Sequence, residues 1–273
     1  MSKLTAEDLK DQFTPFDHFK KKIFDEAERL PESHEFSFSC NPGVSCFNKC
    51  CTDVNIFLTP YDIIRLKNRF DMDSEEFLAR HTIMPMDARQ SYPIVLLKMK
   101  DDEDKSCPFL DTEIGCSVYE DRPWPCRMFP VGKASPRDDS AMPFYFFMHE
   151  DVCNGFDEAN DNWTIASWIE NQEVAQYDEI GELFKDITLH NFFGKGQRLT
   201  PPLMEMFHMV CYNLDKFKVF VFESSFLKRF EVPEDRVEKM RNDDVELLKF
   251  GYEWLRFSIF HEPTMGIREP VKQ

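Results

Sequence analysis

Apolar positions recur at helical spacing in the first and last parts of the chain, and at a shorter period in between. Phe16, Phe19, Ile23 and Phe24 fall on one face among Lys20, Lys21 and Lys22, which predicts a helical arm within residues 1–35 that Pro31 ends. Thr59-Pro60-Tyr61-Asp62 is a helix start. Thr59 suits the cap, Pro60 the first helical position, and Asp62 the reciprocal capping spacing. Ile63, Leu66 and Phe70 then share a face, and a shorter helix is expected from Ser74 with Phe77 and Leu78 inward.

The middle reads as short strands. Residues 94–99 form an apolar, β-prone run, residues 107–110 and 114–119 flank a turn at 111–113, and residues 144–148 predict one further strand. Pro123, Pro125 and Pro130 argue against regular structure across 121–130. From about residue 160 the helical period returns: Val174, Tyr177, Ile180 and Phe184 share one face, and Val237, Met240, Leu247, Leu248 and Leu255 another. The pattern predicts an α+β chain. A helical arm (1–35) precedes a segment of small antiparallel strands and irregular cysteine loops (36–155), followed by a mostly helical region (156–273).

Composition narrows the function. The chain has 273 residues, enough for a sizeable core, and 28 phenylalanines to fill it. Its net charge of −17 repels phosphate backbones, which argues against a nucleic-acid partner. No apolar run reaches a membrane-spanning length and the polar start MSKLTAEDLK is unlike a signal peptide, so a cytoplasmic protein is expected. Thiols stay reduced there, which favours metal ligation over disulfides.

Eight of the nine cysteines lie between residues 40 and 153: Cys40, Cys46, Cys50 and Cys51, then Cys107, Cys116 and Cys126, then Cys153. Thiolates are soft ligands for zinc and iron–sulfur clusters, so all eight are candidate metal ligands. Neighbours in a chain point their side chains apart. Cys50 and Cys51 therefore serve two sites, or two atoms of one cluster, or one of them is structural. Arg122 and Arg127 bracket Cys126 and are expected to offset thiolate charge or to bind an anionic substrate, with pairing of Arg122 to Glu120 or Asp121 as the plain alternative. Trp124 is placed to cover the metal, and His149 is the one histidine near a cysteine. Cys211, in the apolar stretch 206–210, is expected in the core. Asp101-Asp102 and Asp138-Asp139 are expected in solvated turns. No glycine-rich phosphate cradle and no serine-nucleophile motif appear.

Cys50-Cys51, then Cys107-Pro108-Phe109-Leu110, then Cys116-x-x-Tyr119-x-x-Arg122-Pro123-x-x-Cys126-Arg127-x-x-Pro130 resembles the YkgJ-type cysteine-cluster family of bacterial and archaeal proteins. The resemblance covers roughly residues 36–155. It implies a zinc- or iron-chelating domain related to the cysteine-rich part of flagellin lysine N-methylases, where an iron–sulfur cluster and a methyl donor are implied. Two departures stand out: the leading gaps are five and three residues where the family commonly has two and two, and Cys153 precedes Asn154-Gly155 where Pro-Gly is common. The expectation is an iron–sulfur protein of the 4Fe–4S kind, redox-active or group-transferring, with a protein or redox partner. The alternative is a zinc-bound structural domain.

Overall fold

The computed structural model describes residues 23–85, 90–135, 142–148 and 153–268. Most of the predicted N-terminal arm lies outside these residues, and a helical turn is present at residues 23–26. Strand β1 (Glu35–Ser37) follows. Helix α1 (Pro60–Arg69) starts as its sequence dictates: Thr59 and Asp62 form a reciprocal capping box behind Pro60. Asp73 caps α2 (Ser74–His81), whose Phe77 is wholly buried.

The middle is built from two-stranded pieces. β2 (Thr82–Ile83) pairs with β3 (Leu96–Leu97), and β4 (Leu110–Asp111) with β5 (Gly115–Cys116), all antiparallel. The predicted cysteine hairpin is therefore real but short. Its tip is fixed by Asp111, whose Oδ1 accepts from the backbone N–H groups of Glu113 and Ile114. Residues 121–130 correct the expectation of irregular structure, because α3 (Trp124–Met128) runs through them. Pro123 sits at its cap and Pro125 in its first turn, where a missing N–H costs no helical bond. β6 (Val131–Ala134) then pairs with β7 (Phe144–Phe147).

β8 (Asn162–Thr164) pairs with β1, matching Phe36 with Trp163. Trp163 thus lies on a strand, whereas Trp168 and Trp254 lie on helices. The remaining helices are α4 (Ile165–Asn171), α5 (Ala175–Thr188), α6 (Asn191–Gly194), α7 (Pro201–Cys211), α8 (Leu214–Glu223), α9 (Phe226–Arg229), α10 (Glu234–Asn242) and α11 (Asp244–Phe260). β9 (Phe230–Glu231) and β10 (Gly266–Ile267) form a last pair. The architecture is α+β.

One large core joins the two kinds of structure. Leu66 of α1, Phe109 and Val118 of the hairpin region, Ile180 of α5, Phe207 of α7 and Leu255 of α11 are all buried in it. Cys211 is buried there as well, at 2% exposure. A second core gathers Phe36, Phe38, Met128, Ile165 and Trp168. Phe38 sets its ring edgewise to Phe129, Phe156 and Trp168, a packing that fixes the loop just ahead of Cys40. Among the described residues, no helix is long and apolar enough to cross a membrane.

Candidate metal centre

The loop after β1 is wound by its own polar groups. Asn41 Oδ1 accepts from the Gly43 N–H at 2.9 Å, and successive turns run Val44→Asn41, Phe47→Val44 and Lys49→Cys46 through backbone bonds. These turns end in a single 3-10 turn, Lys49–Cys51. Successive residues in such a turn are rotated by about 120°, so Cys50 and Cys51 leave the backbone in different directions.

Their neighbours differ accordingly. Cys40, Cys46, Cys50 and Cys153 line one small cavity of about 10 Å³, closed by Phe38, Val44, Phe47, Phe129 and Gly155. Cys153 arrives there because β1–β8 pairing brings the two loops together: the Ser39 N–H donates to the Gly155 carbonyl at 3.0 Å. A side chain at Gly155 would not fit, since a Cβ would sit 2.5 Å from the Phe38 ring and 2.9 Å from the Ser39 carbonyl. That close approach accounts for glycine two residues after Cys153.

The other set is Cys51, Cys107, Cys116 and Cys126. The Cys107 N–H donates to the Cys51 carbonyl at 2.8 Å, and Thr52 bridges to Ser106. Cys116 pairs with Leu110 across the hairpin, and α3 presents Cys126. The two sets abut, because the Cys51 and Cys50 side chains lie within hydrogen-bond reach of each other.

Electrostatics ties the sulfurs within each set. Burial pushes the Cys40 thiol up to about 11, with Cys50, Cys46 and Cys153 adding repulsion. Cys51 is raised by its bond to Cys50, then by burial and by Cys107 and Cys126. Burial raises Cys126, helped by Cys107 and Cys116. Burial likewise raises Cys107, Cys116 and Cys153. Backbone N–H groups oppose it: Phe109 and Leu110 on Cys107, Val118 on Cys116, and Gly155 on Cys153. Asn154 donates its N–H to the Cys46 sulfur at 3.1 Å. Such donors stabilise a thiolate once it forms.

All nine cysteines are free thiols. Among the described residues, no three His, Cys, Asp or Glu side chains are closed up around one point to hold an ion. The donor chemistry nevertheless fits zinc or iron: eight soft ligands in two sets of four, with backbone donors directed at the sulfurs.

Arg122 and Arg127 are buried, at 6% and 2% exposure. Arg122 donates to the Tyr119 carbonyl and to Gln172 Oε1, with its guanidinium 3.6 Å from the centre of the Tyr119 ring. It makes no ion pair with Asp121, which is taken by Arg65. Arg127 donates to three carbonyls, those of Arg122 (3.1 Å), Gln172 (2.8 Å) and Glu120, and stacks over Tyr177. Among the described residues neither arginine has an ion-pair partner; the Arg127 charge acts on Asp62 and Tyr177, and that of Arg122 on the thiols. The Arg122 charge opposes the upward shifts of Cys40, Cys116 and Cys126.

Trp124 turns its indole N–H to Asp178 at 2.8 Å, and its backbone N–H donates to Asp62 at 2.8 Å. Asp62 is the residue that sequence reasoning missed. It is wholly buried, and burial raises its carboxyl to about 6 against the pull of the Thr59 and Trp124 hydrogen bonds. The capping spacing located it, but nothing local told that it would also anchor the helix carrying Cys126. His149 and the pair at 138–139 lie outside the described residues. Asp102 does sit in a turn, accepting from Ser106.

Residues 39–158 match the model of the CxxCxxCC family, described as a "Putative zinc- or iron-chelating domain". No curated protein and no solved structure matches the chain. The family match spans the stretch bearing all eight clustered cysteines and is consistent with the family that its motifs resemble.

Proposed function

We propose that the cysteine segment holds two metal centres, one in each set of four thiols, and that zinc occupies them as single ions. The observation that carries this reading is the parting of Cys50 and Cys51 into different sets, each completed by residues distant in sequence. The cavity of about 10 Å³ has room for about one water-sized species. Four thiolates around a divalent ion leave a charge of about −2 per set. The buried charge of Arg122 offsets part of it. Bound there, the ions would cross-link loops that are distant in sequence and add to the stability of the folded chain.

The iron–sulfur reading keeps support from the N–H groups directed at Cys107, Cys116 and Cys153, which suit a cluster equally well. Metal and acid-labile sulfide analysis of the full chain, purified without oxygen, separates the two. Zinc in both sets and no sulfide is expected. Brown protein with sulfide equal to iron would overturn the single-ion reading.

A further inference from the structure

The two sets of thiols sit in unlike surroundings. The first set spans exposed Cys40, half-buried Cys50 and Cys153 and buried Cys46, whereas Cys51, Cys107, Cys116 and Cys126 are all half-buried. The loops that hold the first set are joined at their base by the Ser39–Gly155 backbone bond and the Asn154–Cys46 contact, and at their rim by surface contacts. Ser45 donates from its N–H to Glu158 at 2.8 Å, and Asn154 donates to Ser45 Oγ at 2.8 Å, all at exposed positions. Exposed polar contacts of this kind contribute little to holding a loop.

The second set is held by the body of the protein. Cys107 and Cys116 pack against the large core, beside buried Phe109 and Val118. Backbone bonds fix Cys51 to Cys107 and the Cys107 segment to the Cys116 strand before any ion arrives. Cys126 follows from α3, locked by Arg127, by wholly buried Met128 and by the Asp62–Trp124 bond. Ligands ordered in advance lose less freedom on binding, so their ion leaves more slowly.

Resting on the two-centre reading above, we infer that the centres are unequal in exchange. The set of Cys40, Cys46, Cys50 and Cys153 gives up its ion to an external chelating or thiol-bearing acceptor. The set of Cys51, Cys107, Cys116 and Cys126 keeps its ion as part of the fold. Transfer begins when an acceptor ligand replaces the Cys40 thiolate on the ion. Cys40 then takes a proton from water, and no electrons change hands. Cys40 is the most exposed residue of its set, and its sulfur is therefore the one assigned to be displaced first.

The test uses the metal-loaded full chain mixed with excess 4-(2-pyridylazo)resorcinol, a chromogenic chelator, with total metal measured separately. Release in two phases of equal amplitude is expected, with rate constants separated by about tenfold or more. Cys40→Ser, and independently Cys153→Ser, should abolish the fast phase, halve the total metal and leave the far-ultraviolet circular dichroism unchanged. If wild-type protein carries one ion per chain, the two-centre reading itself fails. If it carries two that leave in a single phase, or if Cys40→Ser removes the slow phase, the two-centre reading survives and the inequality is wrong.

Discussion

Replacing Arg127 by lysine keeps the positive charge and removes the fork. Arg127 reaches the carbonyls of Glu120, Arg122 and Gln172 from one guanidinium, joining the turn before α3 to the end of α4. A lysine ammonium at the end of an unbranched stem can replace about one of these bonds. Two buried carbonyls then lose a charged donor, at about 1.5–3 kcal/mol each, for a total of about 3–6 kcal/mol. With a urea m-value of about 3 kcal/mol per molar, the unfolding midpoint of the metal-loaded protein should fall by about 1–2 M. The assay is urea unfolding followed by tryptophan fluorescence, with metal content measured on the same samples. A drop of that size with metal still bound supports Arg127 as a strut between loops. A midpoint within about 0.3 M of wild type would refute the reasoning, because charge alone would then be sufficient.

Further outcomes follow from the same geometry. Gly155→Ala should push the Cys153 loop away from Phe38 and Ser39, destabilise by about 1–3 kcal/mol in thermal unfolding, and lower metal content while sparing the Cys107 set. Lys67 is buried at 5% exposure between Asp244 at 2.7 Å and Asp215 at 3.3 Å, so Lys67→Met should cost about 2–4 kcal/mol in urea unfolding. The thiols of Cys40, Cys51, Cys107, Cys116, Cys126 and Cys153 are held above the ordinary thiol range in the metal-free chain, so they carry protons at neutral pH that an ion must displace. Metal affinity should therefore rise with pH by about tenfold per unit for each proton displaced, with proton release visible by calorimetry in buffers of different ionisation enthalpy. Affinity independent of pH across the neutral range would contradict those shifts.

What the sequence disclosed depended on how local each interaction is. Thr59, Pro60 and Asp62 interact within one turn, so the start of α1 was legible. Pro123 and Pro125 were misread because proline breaks a helix interior yet suits its first turn, and the boundary of α3 depends on packing against Asp62 and Gln172. Strand β6 went unpredicted, since Val131, Gly132 and Ala134 gain their strand character from pairing with β7. The divergence of Cys50 and Cys51 could be reasoned from backbone geometry alone. Which other thiols each would meet could not, because Cys153 reaches Cys46 only through the distant pairing of β1 with β8. The roles of Gln172 and Asp178, which accept from Arg127 and Trp124 across about fifty residues, left no local trace.

X-ray absorption at the edge of the bound metal gives the average ligand shell of the ions without regard to the fold. Two zinc ions held by thiolates alone give a first shell of about four sulfurs near 2.3 Å with no neighbouring metal atom. A short metal–metal distance, or a shell rich in nitrogen and oxygen, would contradict the single-ion reading.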